Sequence, residues 1–296
     1  MDETYSIVRD PDMTRSQKQS AASRESLTQR HLVEERFHDK KARRRLVRPA
    51  RTDFYSEGGD EHMKMLLQAA GPLTGKRVLD FGCGPGHTSR LYAQRGASRV
   101  EGFDISGENI TIAERNARRD SLEDLIFFRR LAAEEIDYSD ESFDVVIGKA
   151  ILHHTDLEKT ARQLHRVLAP GGIAVFLEPL SHNPFLNFFR FLTPSRRTPT
   201  EKPISMDDLG IFRRHFPSVA YRGFYLFTTF SHALLLLTGS RRLFAWSREV
   251  LVRWDEKVLI NLPWLQRYCW SALLVFRKSD AGSQIDWPGQ VFVGVK

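Results

Sequence analysis

Val78-Leu79-Asp80-Phe81-Gly82-Cys83-Gly84-Pro85-Gly86 is the stretch on which the fold turns. Val78 and Leu79 read as a buried strand that ends in a carboxylate, Asp80. Gly82, Gly84 and Gly86 follow as a tight turn, and a helix through Leu91 and Tyr92 comes next. Glycines at alternate positions let a backbone turn sharply and let a ligand approach with no Cβ in the way. The strand-turn-helix setting gives such a pattern its weight.

Working outward from this turn, strands and helices alternate. Strands are expected over Arg77–Asp80, Arg99–Phe103 (ending at Asp104), Leu125–Leu131, Phe143–Gly148 and Ile173–Leu177. Helices are expected over Gly107–Arg119 and from the Asp156 cap to Leu168, with Pro170-Gly171-Gly172 as a turn. Apolar strands alternating with amphipathic helices indicate an α/β fold with a parallel sheet covered on both faces. Residues 1–59 read as an N-terminal extension and lid helix, the weakly packing helix running over about 25–47 and carried by Leu32, Val33, Phe37, Leu46 and Val47. Residues 60–178 form the expected core, opening with a helix from Glu61 to Ala70. Residues 179–278 hold insertions and the last strands: the Leu180–Pro203 stretch, a helix over Met206–Phe216, a strand within Val219–Phe230, helical sequence over Ser231–Leu262 and a strand over Trp270–Phe276. Residues 279–296 read as a loose tail.

Composition narrows the class. The 296 residues are 41% hydrophobic and 27% charged, with a mean hydropathy of −0.38. The longest apolar run, Ala233–Leu237, is far too short to span a bilayer. No secretory signal is visible, and two cysteines, one inside the glycine turn, make a disulfide framework implausible, so a reducing, cytoplasmic location is expected. The net charge of +7 gathers at Lys40–Arg51 and after residue 185. Such patches suit nucleic acid, anionic lipid or acidic substrates, although most are solvated faces.

The carboxylate ahead of the first glycine selects the ligand. A dinucleotide would bring a diphosphate to this helix N-terminus, and Asp80 would repel it. S-adenosyl-L-methionine carries no phosphate but has a sulfonium and an ammonium group, which Asp80 favours. In open α/β sheets ligands bind beyond the carboxyl ends of the strands. Asp104 ends the second strand, where a carboxylate can accept both ribose hydroxyls. The histidines and cysteines show no metal-ligand spacing, so no metal is expected.

The glycine turn closely resembles the first motif of class I S-adenosylmethionine-dependent methyltransferases. Ala132-Ala133-Glu134, Asp140-Glu141-Ser142-Phe143-Asp144-Val145-Val146, Leu152-His153-His154 and Leu168-Ala169-Pro170-Gly171-Gly172 resemble later motifs of the methyltransferase type 11 family. That branch includes ubiquinone and menaquinone C-methyltransferases. The resemblance covers roughly residues 60–178. It implies a Rossmann-like, seven-stranded, mostly parallel sheet with helices on both faces and the last strand antiparallel, plus N-terminal helices and helical C-terminal insertions. Carried over, it places Asp80, Gly82, Gly84, Gly86, Asp104, Ile105, Ala133, Glu134 and Lys149 against the cofactor, and Tyr55, ahead of the first core helix and outside the resemblance, is expected over the cofactor as a lid. One departure stands out: family members carry an acidic residue at the position of Ala132 to hold the adenine amino group. Glu134 is the residue that could compensate.

Methyl transfer from a sulfonium needs alignment and exclusion of water more than charge stabilisation. A base is required only when the acceptor must lose a proton. His153 and His154, after the fourth strand, are the candidates, and Glu178 and His182 stand behind them. Phe185, Phe188, Phe189, Phe191, Phe227, Phe230, Trp246 and Trp254 suggest walls for a small apolar or aromatic acceptor, lipid-like or a secondary metabolite. Two other readings stay open: an RNA methyltransferase using the basic patches, and a non-catalytic cofactor-binding or membrane-associated module. Oligomeric state is not legible.

Overall fold

Strands that are apolar along their whole length need cover on both faces, and the chain supplies it with helices on either side of one sheet. A computed structural model describes residues 29–44, 59–193, 197–278 and 291–292. In chain order the elements are α1 (29–44), α2 (Gly59–Ala70), β1 (Arg77–Phe81), α3 (His87–Gln94), β2 (Arg99–Asp104), α4 (Gly107–Arg119), β3 (Ile126–Arg130), β4 (Phe143–Lys149), α5 (Leu157–Val167) and β5 (Leu168–Pro179). The remainder comprises α6 (Pro184–Leu192), α7 (Met206–Arg213), β6 (Ser218–Phe224), α8 (Thr229–Thr238), α9 (Arg241–Asn261), β7 (Ser271–Arg277) and β8 (Val291–Phe292).

The sheet order is β3-β2-β1-β4-β5-β7-β6-β8. β3, β2, β1, β4 and β5 are parallel neighbours. β7 runs antiparallel between β5 and β6. The seven-stranded sheet with a reversed last strand is therefore present. An eighth, two-residue strand pairs with β6 at Ala220 and Tyr221, and it lies within the stretch expected to be a tail.

Alternate residues of each strand feed opposite cores. Leu79, Phe81, Phe103, Val146 and Phe176 pack with Leu164 of α5 and Phe212 of α7. Val78, Val100, Val145, Ile147 and Val175 pack on the other face with Leu66 of α2 and Tyr92 of α3. Helix starts are capped locally. Ser106 accepts from the Asn109 N–H and Asp156 from the Lys159 N–H, each satisfying a donor that a helix end leaves unpaired.

In the C-terminal third, left-handed residues set where the elements end. β6 stops at Phe224, because Tyr225 adopts φ 66° and turns the chain into α8. The helical stretch to Leu262 is two helices, broken at Gly239 with φ 66°. Both cysteines are buried free thiols. Among the described residues, no helix is long and apolar enough to cross a membrane.

Candidate functional site

The parallel strands β1, β2 and β4 end side by side, and their loops enclose a cavity of about 220 Å³. Gly82, Gly84, Asp104, Ile105, Ala133, Glu134, Lys149 and His154 all line it. Eight residues named from sequence, drawn from four separate loops, thus meet at one place. Tyr55 lies outside the described residues.

The glycine turn is shaped by its φ angles. Gly84 has φ 52°, and a Cβ built on it would meet no protein atom, so this edge of the cavity is bare backbone. Gly86 has φ 75°, and a Cβ there would lie 2.9 Å from the Ala113 Cβ and the Phe128 ring, so its absence lets α3 approach α4 and β3. Gly86 therefore serves packing and does not line the cavity. Asp104 ties the turn to β2: Oδ2 accepts from the Gly84 N–H at 2.9 Å, and Oδ1 from the Ser106 N–H at 2.9 Å. Asn109 Nδ2 also donates to Oδ1 at 3.2 Å, so of the carboxylate's roughly four acceptor sites one on Oδ2 is left where Asp104 borders the cavity.

Asp80 corrects the sequence reading. Its carboxylate is buried beneath the turn, is not a lining group, and accepts from the Thr88 and Ser89 hydroxyls of α3. Burial pushes its pKa up to about 6, against the pull of those two hydroxyls. It can act on a cation in the cavity only from below, as a charge rather than as a contact.

The two adjacent histidines part company. A 3-10 turn, Leu152–His154, follows β4. His153 points inward, where its Nδ1 lies 2.6 Å from Glu178 Oε2. Glu178 Oε1 accepts from the Ile151 and Leu152 N–H groups at 2.9 Å each. Glu178 is fully buried, so it and His153 brace the turn and do not reach an acceptor. His182 is likewise structural, its Nε2 accepting from the Met206 N–H at the start of α7. His154 alone faces the cavity. The residue that begins the turn on β4's side, Ala150, holds φ 56°, a strained conformation for a residue with a Cβ and one that clusters at functional sites.

The roof of the cavity falls in the extension read as holding a lid helix, although most of the residues it presents were not singled out from sequence. It is α1, which presents His31, Glu34, His38, Lys41 and Ala42. Their spacing puts them along one helical face. Glu34 is 3% exposed. Its Oε1 accepts from the Thr198 and Thr200 hydroxyls. Its Oε2 lies 3.1 Å from His154 Nδ1 and 3.6 Å from His38 Nε2, as close polar contacts rather than aligned hydrogen bonds. Burial would raise the Glu34 carboxyl, but the His154 and His38 rings and the Thr200 hydroxyl outweigh it and hold it well below the usual carboxylate range. Burial lowers the His154 pKa, and Glu34 only partly restores it. The resulting pair is a carboxylate beside a neutral imidazole.

Glu134, expected to compensate at the adenine, is instead the anchor of α1. It binds Arg30 and lies 3.1 Å from His31 Nε2, and its Oε1 accepts from the Asp156 N–H at 2.7 Å. Further polar ties join Asp39 to Ser106 and the Glu108 N–H, Arg43 to Glu108, and Glu35 to Arg130. Glu34, His38 and His154 also bring three ligand atoms within 4.8 Å of one another. No sequence spacing announced that cluster, because His154 lies on a different element. The expected acceptor walls are absent from the cavity. Phe188, Phe191, Phe230, Trp246 and Trp254 are exposed on the outer surface.

Known proteins share this architecture. Residues 79–176 match the family model described as "Methyltransferase domain". Methyltransferase GfsG of Streptomyces halstedii is 30% identical over 125 residues, 42% of this chain and 45% of that protein. Ubiquinone biosynthesis O-methyltransferase of Rhizobium etli is 34% identical over 126 residues, 42% of this chain and 50% of that protein. The chain thus matches about half the length of these curated relatives. Among solved structures, geranyl diphosphate C-methyltransferase from Streptomyces coelicolor A3(2) superposes with a TM-score of 0.55 at 15% identity, covering 75% of this chain and 81% of that one. The [4+2]-cyclase SpnF superposes with a TM-score of 0.51 at 20% identity, covering 75% and 82%. These last two likenesses speak for fold alone, and a cyclase among them shows that the fold does not fix the reaction. The matched segment carries the glycine turn, Asp104, Glu134 and His154 themselves: residues 79–176 are similar to a methyltransferase domain and are set in a sheet of the fold that solved methyltransferases share.

Proposed function

We propose that the chain transfers a methyl group from S-adenosyl-L-methionine to a small apolar or aromatic acceptor bearing an ionisable hydroxyl or activated carbon. The residues present suit this donor: a bare-backbone edge at Gly84, a carboxylate at Asp104 for a ribose, and the Asp80 charge beneath a cationic group. When bound, the donor supplies a methyl group on a sulfonium sulfur that departs as a neutral thioether.

The chain's own contribution is alignment and one proton. α1 roofs the cavity and excludes water, which suits a displacement that depends on orientation. Glu34 faces Nδ1 of His154 and so favours the tautomer with the proton there, leaving the Nε2 lone pair to accept the acceptor's proton. Glu34 remains an anion and steadies the imidazolium that results. The Glu34–His154 pair at the cavity wall is the observation that carries this reading, and it favours an acceptor whose nucleophile starts protonated.

The test is calorimetry followed by turnover. S-adenosylmethionine and its demethylated product should bind, and Asp104→Ala should weaken both at least tenfold. Labelled methyl should then appear in the lipid or small-molecule pool of a fractionated cell extract. Label confined to RNA, or tight NADH binding with none of S-adenosylmethionine, would overturn the proposal.

A further inference from the structure

The aromatic residues expected to wall the acceptor site face outward instead. Sixteen large hydrophobic side chains are exposed among the described residues, and thirteen of them fall between Phe185 and Trp264. Isolated exposed apolar residues are ordinary, but a concentration of this kind marks an interaction surface.

Their arrangement is ordered. At the tip of the α8–α9 hairpin, Leu236 and Leu237 are 60% and 85% exposed, and Gly239 makes the turn. Along α9, Trp246 and Trp254 are 64% and 61% exposed, with Val250 between them. These positions, four residues apart, form one stripe, while Phe244, Ser247, Asp255 and Leu259 turn to the protein. On α6, Phe188, Phe191 and Leu192 form a second exposed set. The Phe185 and Phe230 rings meet at 5.5 Å and join α6 to the start of α8.

Charge identifies the occupant. Residues 185–268 contain thirteen Lys or Arg against six Asp or Glu, a surplus of seven that equals the surplus of the entire chain. Arg241 and Arg242 follow directly on the Leu236–Leu237 tip, and Arg253 and Lys257 flank the tryptophan stripe. Tryptophan with basic residues on helices too short or too polar to span is the pattern of a segment lying in a membrane interface. An uncharged partner would be met by apolar contact alone, whereas an anionic bilayer accounts for both the rings and the arginines.

We infer that α6 and the α8–α9 hairpin form a docking surface for anionic phospholipid bilayers, with Leu236–Leu237 as the inserting tip. The surface lies outside residues 79–176, so it is a property of the insertions and stands apart from methyl transfer.

The full-length chain should be floated with vesicles of phosphatidylcholine alone and with 30% phosphatidylglycerol. Binding should be at least about tenfold tighter to the anionic vesicles. Leu236→Glu with Leu237→Glu should lower it at least tenfold. Arg241→Glu with Arg242→Glu should remove the preference for phosphatidylglycerol while circular dichroism stays that of the parent. Failure to bind either vesicle would overturn the proposal. So would binding unaffected by both double substitutions. A stable dimer by light scattering, with no vesicle binding, would assign the surface to a second copy of the chain instead.

Discussion

Replacing Asp80 by Asn should make this protein more stable and bind its donor less well. The carboxylate is 3% exposed, and burial raises its pKa from the ordinary 3.8 to about 6. That difference corresponds to a cost of about 3 kcal/mol for keeping it ionised well above pH 6. Both hydroxyl bonds, from Thr88 and Ser89, fall on the same oxygen, Oδ2. An asparagine can place its Oδ1 there and keep them, so the substitution removes the buried charge with little loss of hydrogen bonding. Part of the gain is lost to the new amide group, and about 1–3 kcal/mol should remain. At roughly 2–4 °C per kcal/mol this is readable in a thermal melt at pH 8.

The pH dependence follows from the sign of the shift. Because the folded state holds the Asp80 proton more tightly than the unfolded state, its contribution is fully favourable below about pH 3.8 and is lost as pH rises through about 6. The advantage of Asp80→Asn should therefore shrink as pH falls from 8 to 4.5. Calorimetry with S-adenosylmethionine should show the opposite change in function, a loss of at least about tenfold, or about 1.4 kcal/mol. A variant that melts below the parent at pH 8, a gap that does not close in acid, or unchanged donor affinity would refute the reasoning.

The proton-transfer pair has its own signature. His154→Ala should lower kcat about 10²–10⁴-fold and leave donor affinity within a few-fold, as read by steady-state kinetics and calorimetry. Because burial lowers the His154 pKa and Glu34 raises it, the acid limb of the parent's pH profile should lie below 6.5, and Glu34→Gln should move it lower still while reducing the plateau. Glu178→Ala should destabilise the fold by about 3 kcal/mol or more, because it strands two buried N–H groups and the His153 ring; a denaturant titration checks this. The Glu34, His38 and His154 atoms lie at separations that Zn²⁺ could bridge with ligand bonds of about 2.0–2.1 Å. Micromolar Zn²⁺ should therefore inhibit turnover by displacing the His154 Nδ1 proton and drawing basicity from the ring, a chelator should restore it, and His38→Ala should weaken the inhibition.

The floor of the site was legible because it is local. A strand, a carboxylate and three glycines occupy nine consecutive residues, and Asp104 closes the next strand. Of the roof, the sequence offered a lid helix but not its inward residues, because burial does not follow hydrophobicity there. The sequence reading rested α1 on Leu32, Val33 and Phe37, yet Leu32 and Val33 face solvent. The inward face is the polar series His31, Glu34, His38 and Lys41, whose spacing was present in the sequence as a helical stripe. Similarly, nothing local separates His153 from His154. The choice was made by Glu178, twenty-five residues away, which claims the first and leaves the second to the cavity. The exposed tryptophans misled for the reciprocal reason: an aromatic side chain reads as core unless its surroundings are known.

The fastening of α1 has a consequence for timing. That helix is pinned by Arg30, His31, Glu34, Glu35, Asp39 and Arg43 to partners on four other parts of the chain, and several of those attachments must release together before anything beneath it can leave. Its partly exposed ion pairs weaken as electrolyte is added, whereas the enclosed Glu34 and Glu134 contacts are shielded from it. A donor held beneath α1 would leave only as those contacts release together, and added electrolyte would ease the partly exposed ones first.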